Sequence, residues 1–266
     1  YNKVYDTAAT VVTEGHGIAS DIYTDNNQIY YNIVYGNQGG CIHLYKSTDI
    51  NAYNNTCRGN VQNASHAIPG EISLYDDAGA PADRTANINV KNNAVEATAA
   101  GAYAIYIPAL VTDNAGISFN TNNWYKASGN WYFNGVGGNN LATWNALSYV
   151  GTDLNADPLF QNPTTNFRLL PASTLMNAGV DVGLTRDYAG MTVPFGDAPD
   201  IGAYESSKGI ITVTPGKGTG TLAPGKGTGS ISPYYDDIFF ILYDLKYEDL
   251  LFSPFYGINN LINTRR

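Results

Sequence analysis

The chain has 266 residues, a net charge of −9 at pH 7 and a pI near 4.6. This acidic balance argues against a nucleic-acid partner, because an acidic surface repels phosphate, and the sequence has no apolar run of about 18 residues that could span a membrane. Hydrophobic residues make up 44% and charged residues 14%, so the chain can bury a core. The acidic, Lys-poor and Tyr-rich composition predicts an extracellular or cell-surface protein.

A repeat organises the first half of the chain. The hexapeptides at 32–37 (NIVYGN) and 55–60 (NTCRGN) match, 23 residues apart, and two later segments follow in the same phase. A period in the low twenties with short alternating strands predicts a solenoid, in which each strand pairs with its equivalent one coil away. The segments begin at Asn32, Asn55, Asn93 and Asn123, and the apolar alternations before them are Ile29, Ile50 with Ala52, Ile88 with Val90, and Ile117 with Phe119.

The repeated Asn residues have a physical rationale. A coil must turn sharply between strands, and Asn tolerates the left-handed backbone region. Stacked Asn amides can also donate to the next coil, which satisfies buried polar groups. We therefore predict that Asn32, Asn55, Asn93 and Asn123 form a buried amide ladder between coils.

Cys41 and Cys57 are the two cysteines of the chain. In an exported protein they could form one disulfide. The alternative is that both are small buried hydrophobes in a core. The three scattered histidines and these cysteines show no metal-ligand spacing, so we predict no metal site from them.

A second pattern lies in the region 157–205. Its elements are Asp157-Pro-Leu-Phe160, Phe167-Arg-Leu-Leu170, Asn177-Ala-Gly179, Asp187-Tyr-Ala-Gly190 and Asp200-Ile-Gly-Ala-Tyr-Glu205. Together with the repeats, this pattern resembles secreted right-handed parallel β-helix proteins of the pectate-lyase-like superfamily, whose C-terminal closing element it matches. The resemblance covers residues 14–205 and implies an all-β, right-handed parallel β-helix. It implies no single activity, because this architecture hosts lyases, hydrolases, epimerases, adhesins and fibres.

Four regions follow from these patterns. Residues 1–130 are predicted to form β-helix coils, 131–207 the last coils and closing element, 208–233 a linker rich in Gly, Lys, Thr and Pro, and 234–266 an apolar tail. The block PGKGTG occurs twice in the linker. The tail could dock on another copy or fold back onto its own coils. Its predicted docking residues are Tyr234, Tyr235, Phe239, Phe240, Tyr243, Tyr247, Phe252 and Phe255.

His43 lies between Ile42 and Leu44, so the alternation predicts that it points away from the core, on the same side as Tyr45. With Lys46, these residues could act on a polysaccharide: a uronate lyase needs a cation for the carboxylate and a base for the C5 proton. Lys46-Ser47 faintly resembles the Lys-Ser segment of alginate- and chondroitin-type β-helix lyases. The Glu expected five residues earlier is Cys41 here, so a solvated Lys beside a surface His is the favoured reading.

Other candidate site residues have weaker support from the sequence. Five carboxylates could bind Ca²⁺ or serve a hydrolase; they are Asp21, Asp25, Glu71, Asp76 and Asp77. No calcium-loop spacing supports either role, so isolated surface carboxylates are the favoured reading and no cofactor is predicted. Trp124, Trp131 and Trp144 could stack on sugars or pack in the core. Asn54 and Asn63 begin glycosylation sequons.

Two functions follow from the sequence. The first is an extracellular structural protein that assembles with copies of itself into a fibre, sheath or surface layer. The opening strand-like residues have no cap before them, so either upstream residues are missing or that face pairs with another chain. The second is a polysaccharide-active enzyme, a lyase that acts on an acidic glycan. The sequence favours the first function over an enzyme.

Overall fold

The computed structural model describes residues 1–76, 85–108 and 116–206. The chain divides into two units, Tyr1–Gly209 and Ile210–Arg266, and the described residues belong to the first. Strands dominate these residues, with one short helix, α1 (Leu141–Asn145). The strands are β1 (Lys3–Tyr5), β2 (Ile18–Ser20), β3 (Gln28–Tyr30), β4 (Ile33–Tyr35), β5 (Ile42–Tyr45), β6 (Thr48–Tyr53), β7 (Thr56–Arg58), β8 (Gly70–Tyr75), β9 (Ala86–Lys91), β10 (Ala94–Glu96), β11 (Tyr103–Tyr106), β12 (Ser118–Asn120), β13 (Asn123–Tyr125), β14 (Tyr132–Phe133), β15 (Gly137–Gly138), β16 (Phe160–Asn162) and β17 (Asn166–Leu169).

The first fourteen strands join three sheets in strict rotation. Sheet A has the order β1-β4-β7-β10-β13, sheet B β2-β5-β8-β11-β14-β15, and sheet C β3-β6-β9-β12. Within a sheet, each of these strands runs parallel to the strand three places later, so that Thr56 pairs with Ile33 on one side and Ala94 on the other. We call one passage through sheets A, B and C a circuit; the first circuit comprises β1, β2 and β3.

The register stacks inward side chains in continuous rows. Alternation points every second residue of a strand into the core, and parallel pairing places equivalent residues of successive circuits side by side. The predicted apolar alternation is confirmed, since its members are buried from Ile29 to Phe119. The rows are Val34, Cys57, Val95 and Trp124 in sheet A, Ile42, Ile72 and Ile105 in sheet B, and Ala52, Val90 and Phe119 in sheet C.

An amide ladder connects the circuits where the chain passes from sheet C to sheet A. Asn32 Nδ2 donates to Asn55 Oδ1 at 2.9 Å, and Asn55 Nδ2 donates to Asn93 Oδ1 at 2.9 Å. All three side chains are buried, as predicted. The prediction for Asn123 is wrong by one residue, because Asn93 donates to Asn122 at 2.9 Å. Asn123 instead begins β13 and donates to the Ala156 carbonyl.

The turn and the ladder use different residues. The residue before each ladder Asn has a positive φ: Tyr31 (48°), Asn54 (52°), Asn92 (56°) and Thr121 (54°). From the sequence, one Asn was expected to provide both the left-handed turn and the stacked amide. In the structure the first residue turns the chain and the second stacks.

Carboxylates end two ladders. Asp153 accepts from Asn122 Nδ2 at 3.2 Å and from the Trp124 and Trp144 indole nitrogens at 2.7 and 2.9 Å. A second ladder runs from Asn37 to Asn60, and Asn60 Nδ2 donates to Glu71 at 2.6 Å.

The two cysteines link neighbouring circuits. Cys41 and Cys57 form a disulfide with a Cα–Cα distance of 5.6 Å and a sequence separation of 16. Both residues are fully buried, so the bond lies in the core.

The segment from residue 154 to 206 covers the outer face of sheet A. It includes the antiparallel hairpin of β16 and β17. The Ala203 amide donates to Thr56 Oγ1 at 2.9 Å, and Asn54 Nδ2 donates to the Asp200 carbonyl at 3.0 Å. A second apolar core fills the contact, formed by Ile33, Ala94, Phe160, Phe167, Leu169, Leu175, Met176, Ile201 and Ala203.

The far end of the three sheets is closed within the described residues. Residue Leu154 bridges to β13, and Val150 bridges to β12. The strand β15 runs antiparallel to β14, and Trp144 of α1 packs on the last core row. No helix in the described ranges is long and apolar enough to cross a membrane.

The first circuit exposes strand edges and apolar side chains. Its strands β1, β2 and β3 are the edge strands of their sheets. Six of the nine large hydrophobic residues that are exposed in the described chain lie between residues 1 and 23. They are Tyr1 (59% exposed), Tyr5 (52%), Val11 (52%), Val12 (46%), Ile22 (49%) and Tyr23 (69%).

Candidate functional site

The outer face of sheet B carries a strip of half-buried aromatic side chains on four successive strands. Tyr45 and Tyr75 are paired in register on β5 and β8, with ring centroids 5.7 Å apart. Tyr106 and Phe133 are paired on β11 and β14 and stack at 5.0 Å, and Tyr103 lies 5.6 Å from Phe133. We call these five residues the aromatic strip. Strands in a sheet are about 4.8 Å apart, so the strip spans about 14 Å.

His43 points away from the core as the alternation predicts, but it does not reach solvent. The side chain is 6% exposed, because the His16 ring stacks on it at 4.3 Å and Tyr45 packs beside it at 6.1 Å. Its Nδ1 is 2.8 Å from Ser73 Oγ. The prediction of a surface His is therefore wrong: a residue from the preceding circuit covers it.

The structure brings all three histidines together. His66 contacts His16 edge-on, with ring centroids 5.0 Å apart. The Gly40 amide donates to His16 Nδ1 at 2.9 Å, and His16 Nε2 is 3.0 Å from the Thr13 carbonyl. An Nδ1 that accepts from an amide cannot carry a proton, so His16 is neutral with its proton on Nε2. No sequence pattern indicates this convergence, since the three positions lie on different loops and strands.

The environment keeps these rings uncharged. Burial lowers the pKa of His43 to about 3, with further lowering from His16 and His66. Burial lowers the pKa of His16 to about 4, and His66 adds to this effect. A neutral, covered imidazole with such a low pKa has little basicity to offer a substrate. The histidine cluster is better suited to holding three circuits together.

Tyr45 and Lys46 are the two predicted catalytic residues that reach the surface. Both are half-buried, and Lys46 Nζ lies 5.4 Å from the Tyr45 ring centroid, a cation–π arrangement. Lys46 also has a left-handed backbone, with φ 47°. Lys46 therefore adds one positive charge at the Tyr45 end of the aromatic strip.

Two of the predicted surface carboxylates, Glu71 and Asp76, are buried instead. Glu71 accepts from the amide and the side chain of Asn60. Burial raises its pKa to about 8, although both hydrogen bonds from Asn60 lower it. Asp77 lies outside the described residues. Within the part of the chain that the structure describes, no three His, Cys, Asp or Glu side chains are grouped to hold a metal ion.

The tryptophans and the glycosylation sequons differ in how far they are exposed. Trp124, Trp131 and Trp144 are all buried, so they belong to the core and cannot stack on a sugar. Asn54 is fully buried and bonded within the fold, whereas Asn63 lies half-buried in a turn, where its Oδ1 accepts from the Ser65 amide.

The predicted docking residues of the tail lie outside the described residues, as does the whole region 207–266. They are Tyr234, Tyr235, Phe239, Phe240, Tyr243, Tyr247, Phe252 and Phe255.

No protein-family model matches the sequence, and a search of curated proteins finds no match.

The aromatic strip is the feature that sequence reasoning missed. Tyr45 was identified, but Tyr75, Tyr103, Tyr106 and Phe133 were not. A signal was present: Tyr45 and Tyr75 each follow a buried Leu at the end of a similar strand. The strands are separated by loops of unequal length, which hid the register of the others.

Proposed function

We propose that this chain is an extracellular right-handed parallel β-helix protein that binds a polysaccharide along the aromatic strip without cleaving it. The rotation of strands through three parallel sheets supports the β-helix, and parallel crossovers are nearly always right-handed. The buried disulfide supports an extracellular location, because such bonds persist in oxidising compartments.

The aromatic strip is the observation that carries the binding proposal. The strip consists of two in-register pairs, Tyr45 with Tyr75 and Tyr106 with Phe133, and the second pair is offset by two residues because Tyr106 pairs with Ser73. Half-buried rings on four neighbouring strands offer apolar area and polar hydroxyls together, which suits the mixed surface of a sugar.

The strip residues are uncharged. Lys46 lies beside Tyr45, and Lys126 donates to the Ala102 carbonyl next to Tyr103. The chain as a whole has a net charge of −9. We therefore propose a neutral polysaccharide, since an acidic glycan would be repelled by the overall field.

The lyase alternative has weaker support. It needs a basic group near a sugar C5 proton, and His43 is neutral, covered and hydrogen-bonded to Ser73. A lyase would release unsaturated products from alginate, pectate or glycosaminoglycans, and their absorbance would rise with time. We expect no such rise with the wild-type protein.

Affinity electrophoresis in gels that contain single polysaccharides tests the binding proposal. We expect retardation by at least one neutral glucan, xylan or mannan, and little by alginate or pectate. Replacing both Tyr75 and Tyr106 with Ala should reduce retardation about tenfold or more, at about 1 kcal/mol per ring.

Tyr53→Ala is the matched control. Tyr53 is also a half-buried Tyr that stacks on a neighbour, Tyr30, at 5.4 Å, but it lies on sheet C. Its loss should leave retardation unchanged. Equal losses in both proteins, or retardation by none of the polysaccharides, would rule out the strip as a binding surface.

Self-assembly is a second candidate function, and one observation favours it. The exposed apolar residues of the described chain concentrate in the first circuit, where all three sheets end in an edge strand. Soluble proteins rarely leave such an edge uncovered, because edge strands recruit other strands. We propose that copies of the chain associate there. The role of the tail residues 234–266 stays a prediction.

A further inference from the structure

We infer that Asn63 carries an N-linked glycan, and that this glycan covers the neighbouring Val11–Val12 pair. The inference rests on the proposed extracellular location, because N-linked glycans are found on exported chains. The acceptor motif is Asn, any residue except Pro, and then Ser or Thr. The sequence contains it at Asn54 and at Asn63, and the structure separates these two positions.

The contacts of Asn54 exclude it as an acceptor. Its side chain is fully buried, and its Nδ2 donates to the carbonyls of Asp200 and Gly202 at 3.0 and 3.4 Å. A sugar on Nδ2 would stand between Asn54 and the segment 154–206, which covers the outer face of sheet A. A chain that is glycosylated at Asn54 therefore cannot form this contact.

Asn63 has the opposite environment, because it begins an open turn. Its Oδ1 accepts from the Ser65 amide at 3.0 Å, and its carbonyl accepts from the His66 amide at 2.9 Å. Within the part of the chain that the structure describes, the Nδ2 of Asn63 meets no hydrogen-bond acceptor. Asn63 is half-buried, and the two residues that follow it are exposed, so the turn presents Nδ2 to solvent.

The turn is held from both sides by bonds that leave Nδ2 unused. The Asn63 amide donates to the Gln38 carbonyl at 3.1 Å. The buried His66 ring lies 2.9 Å from the Ile68 carbonyl and 3.0 Å from the Glu14 carbonyl. A glycan on Asn63 therefore breaks no contact of the fold.

The attachment forms one bond and breaks one. Asn63 Nδ2 attacks the anomeric carbon of an oligosaccharide that is carried on a polyprenyl diphosphate. The bond from that carbon to the diphosphate oxygen breaks, and the polyprenyl diphosphate leaves. Nδ2 loses one proton and keeps one hydrogen, so the product is an uncharged amide.

Val11 and Val12 lie beside this turn. The Ala67 amide donates to the Val12 carbonyl at 2.8 Å, and Ala67 follows Asn63 closely in the chain. Val11 is 52% exposed and Val12 is 46% exposed, so the two form an apolar patch in water. Because a glycan is bulky and solubilising, one on Asn63 would cover this patch.

Mass spectrometry of the full chain, made in a eukaryotic cell behind a secretion signal, tests the inference. We expect one glycopeptide, which contains Asn63, and an intact mass above that of the polypeptide. Ser65→Ala should abolish the glycan and keep the fold, because Ser65 takes part in the turn through its backbone amide. Ser65→Thr is the matched control and should keep the glycan, since Thr also completes the motif.

Binding of the apolar dye anilinonaphthalene sulfonate tests whether the glycan covers the patch. The Ser65→Ala protein should bind more dye than the wild type, and adding Val11→Ser/Val12→Ser should remove the increase. Adding Val136→Ser should leave the increase in place, because Val136 is 73% exposed but lies beside β15, three strands from β8 in sheet B. Equal dye binding by the wild type and Ser65→Ala would overturn the cover.

The remaining outcomes separate this inference from the location on which it rests. A chain that is secreted with its disulfide formed but without a glycan would overturn the inference alone. A chain whose cysteines stay reduced in the secretory compartment, and which carries no glycan, would overturn both. A glycan on Asn54, or one that persists in Ser65→Ala, would overturn the assignment to Asn63.

Discussion

Asn55→Leu tests whether buried amides hold the circuits together. Asn55 is fully buried; its Oδ1 accepts from the Asn32 amide at 3.0 Å and from Asn32 Nδ2 at 2.9 Å. Leu has a similar size but no acceptor, so both donors of Asn32 lose their partner. Each buried donor without a partner costs about 1–3 kcal/mol, and we expect a loss of about 3 kcal/mol in the free energy of unfolding.

Urea denaturation followed by tryptophan fluorescence measures this loss, because three Trp residues lie in the core. In a domain of this size, about 3 kcal/mol also lowers the Tm by about 10 °C. Asn51→Leu is the control. Asn51 makes three side-chain hydrogen bonds, to Gln28, Tyr53 and Asn89, but on the half-buried outer face of sheet C.

Water can replace the partners of Asn51, so its substitution should cost less than about 1 kcal/mol. Burial, and not the number of hydrogen bonds, is what the two variants compare. Similar losses at both positions would refute the reasoning, and so would an Asn55→Leu protein as stable as the wild type.

Three further outcomes concern titration and the disulfide. The pKa of Glu71 is about 8 in the fold against an ordinary 4.5, so the native state keeps the proton that the unfolded chain has lost. The free energy of unfolding should therefore fall as pH rises from 4.5 to 8, and Glu71→Gln should flatten this slope in urea titrations at several pH values. His16 has a pKa of about 4 in the fold against an ordinary 6.5, so the unfolded chain binds a proton at a higher pH than the native state. The free energy of unfolding should therefore also fall as pH drops from 6.5 to 4. A His16→Gln protein whose stability falls equally steeply over this range would contradict this reasoning. Replacing Cys41 and Cys57 with Ala should cost about 3 kcal/mol for a loop of this size, measured against the oxidised wild type, and an unchanged midpoint would show that the bond adds nothing.

The sequence predicted the inward half of the molecule well, because local alternation decides which residues a strand buries. Ile50, Ala52, Ile88 and Val90 are in the core for this reason. Strand pairing between equivalent positions also followed from the repeat, as the pairing of Ile50 with Ile88 shows.

The error at Asn123 has a specific physical cause. Asn54 and Asn92 are left-handed turn residues that are followed by a ladder Asn, so a pair of Asn marks the turn. In the next circuit Thr121 makes the turn, and the pair Asn122–Asn123 is shifted by one. Sequence alone could not tell which Asn of a pair stacks, because both roles suit Asn.

The outer surface was harder to predict, because loops decide what covers it. Alternation placed His43 on the outer side correctly, yet His16 covers it from 27 residues earlier. The path of residues 6–17, and not the strand pattern, determines that contact. The same applies to Glu71, which a strand reading left on the surface and which Asn60 holds in the interior.

The polarity of the first ladder explains why a carboxylate lies at its end. Each ladder Asn accepts at Oδ1 from the preceding member and donates from Nδ2 to the next, so the series runs in one direction. Its last member has nothing further to donate to and meets only donors. Asp153 meets this requirement, since it accepts from Asn122 and from the Trp124 and Trp144 indoles, and an amide there would turn a donor towards another donor. An acidic residue in the phase of a buried Asn repeat therefore predicts the end of the ladder, and the 31 residues from Asn122 to Asp153 were a readable signal.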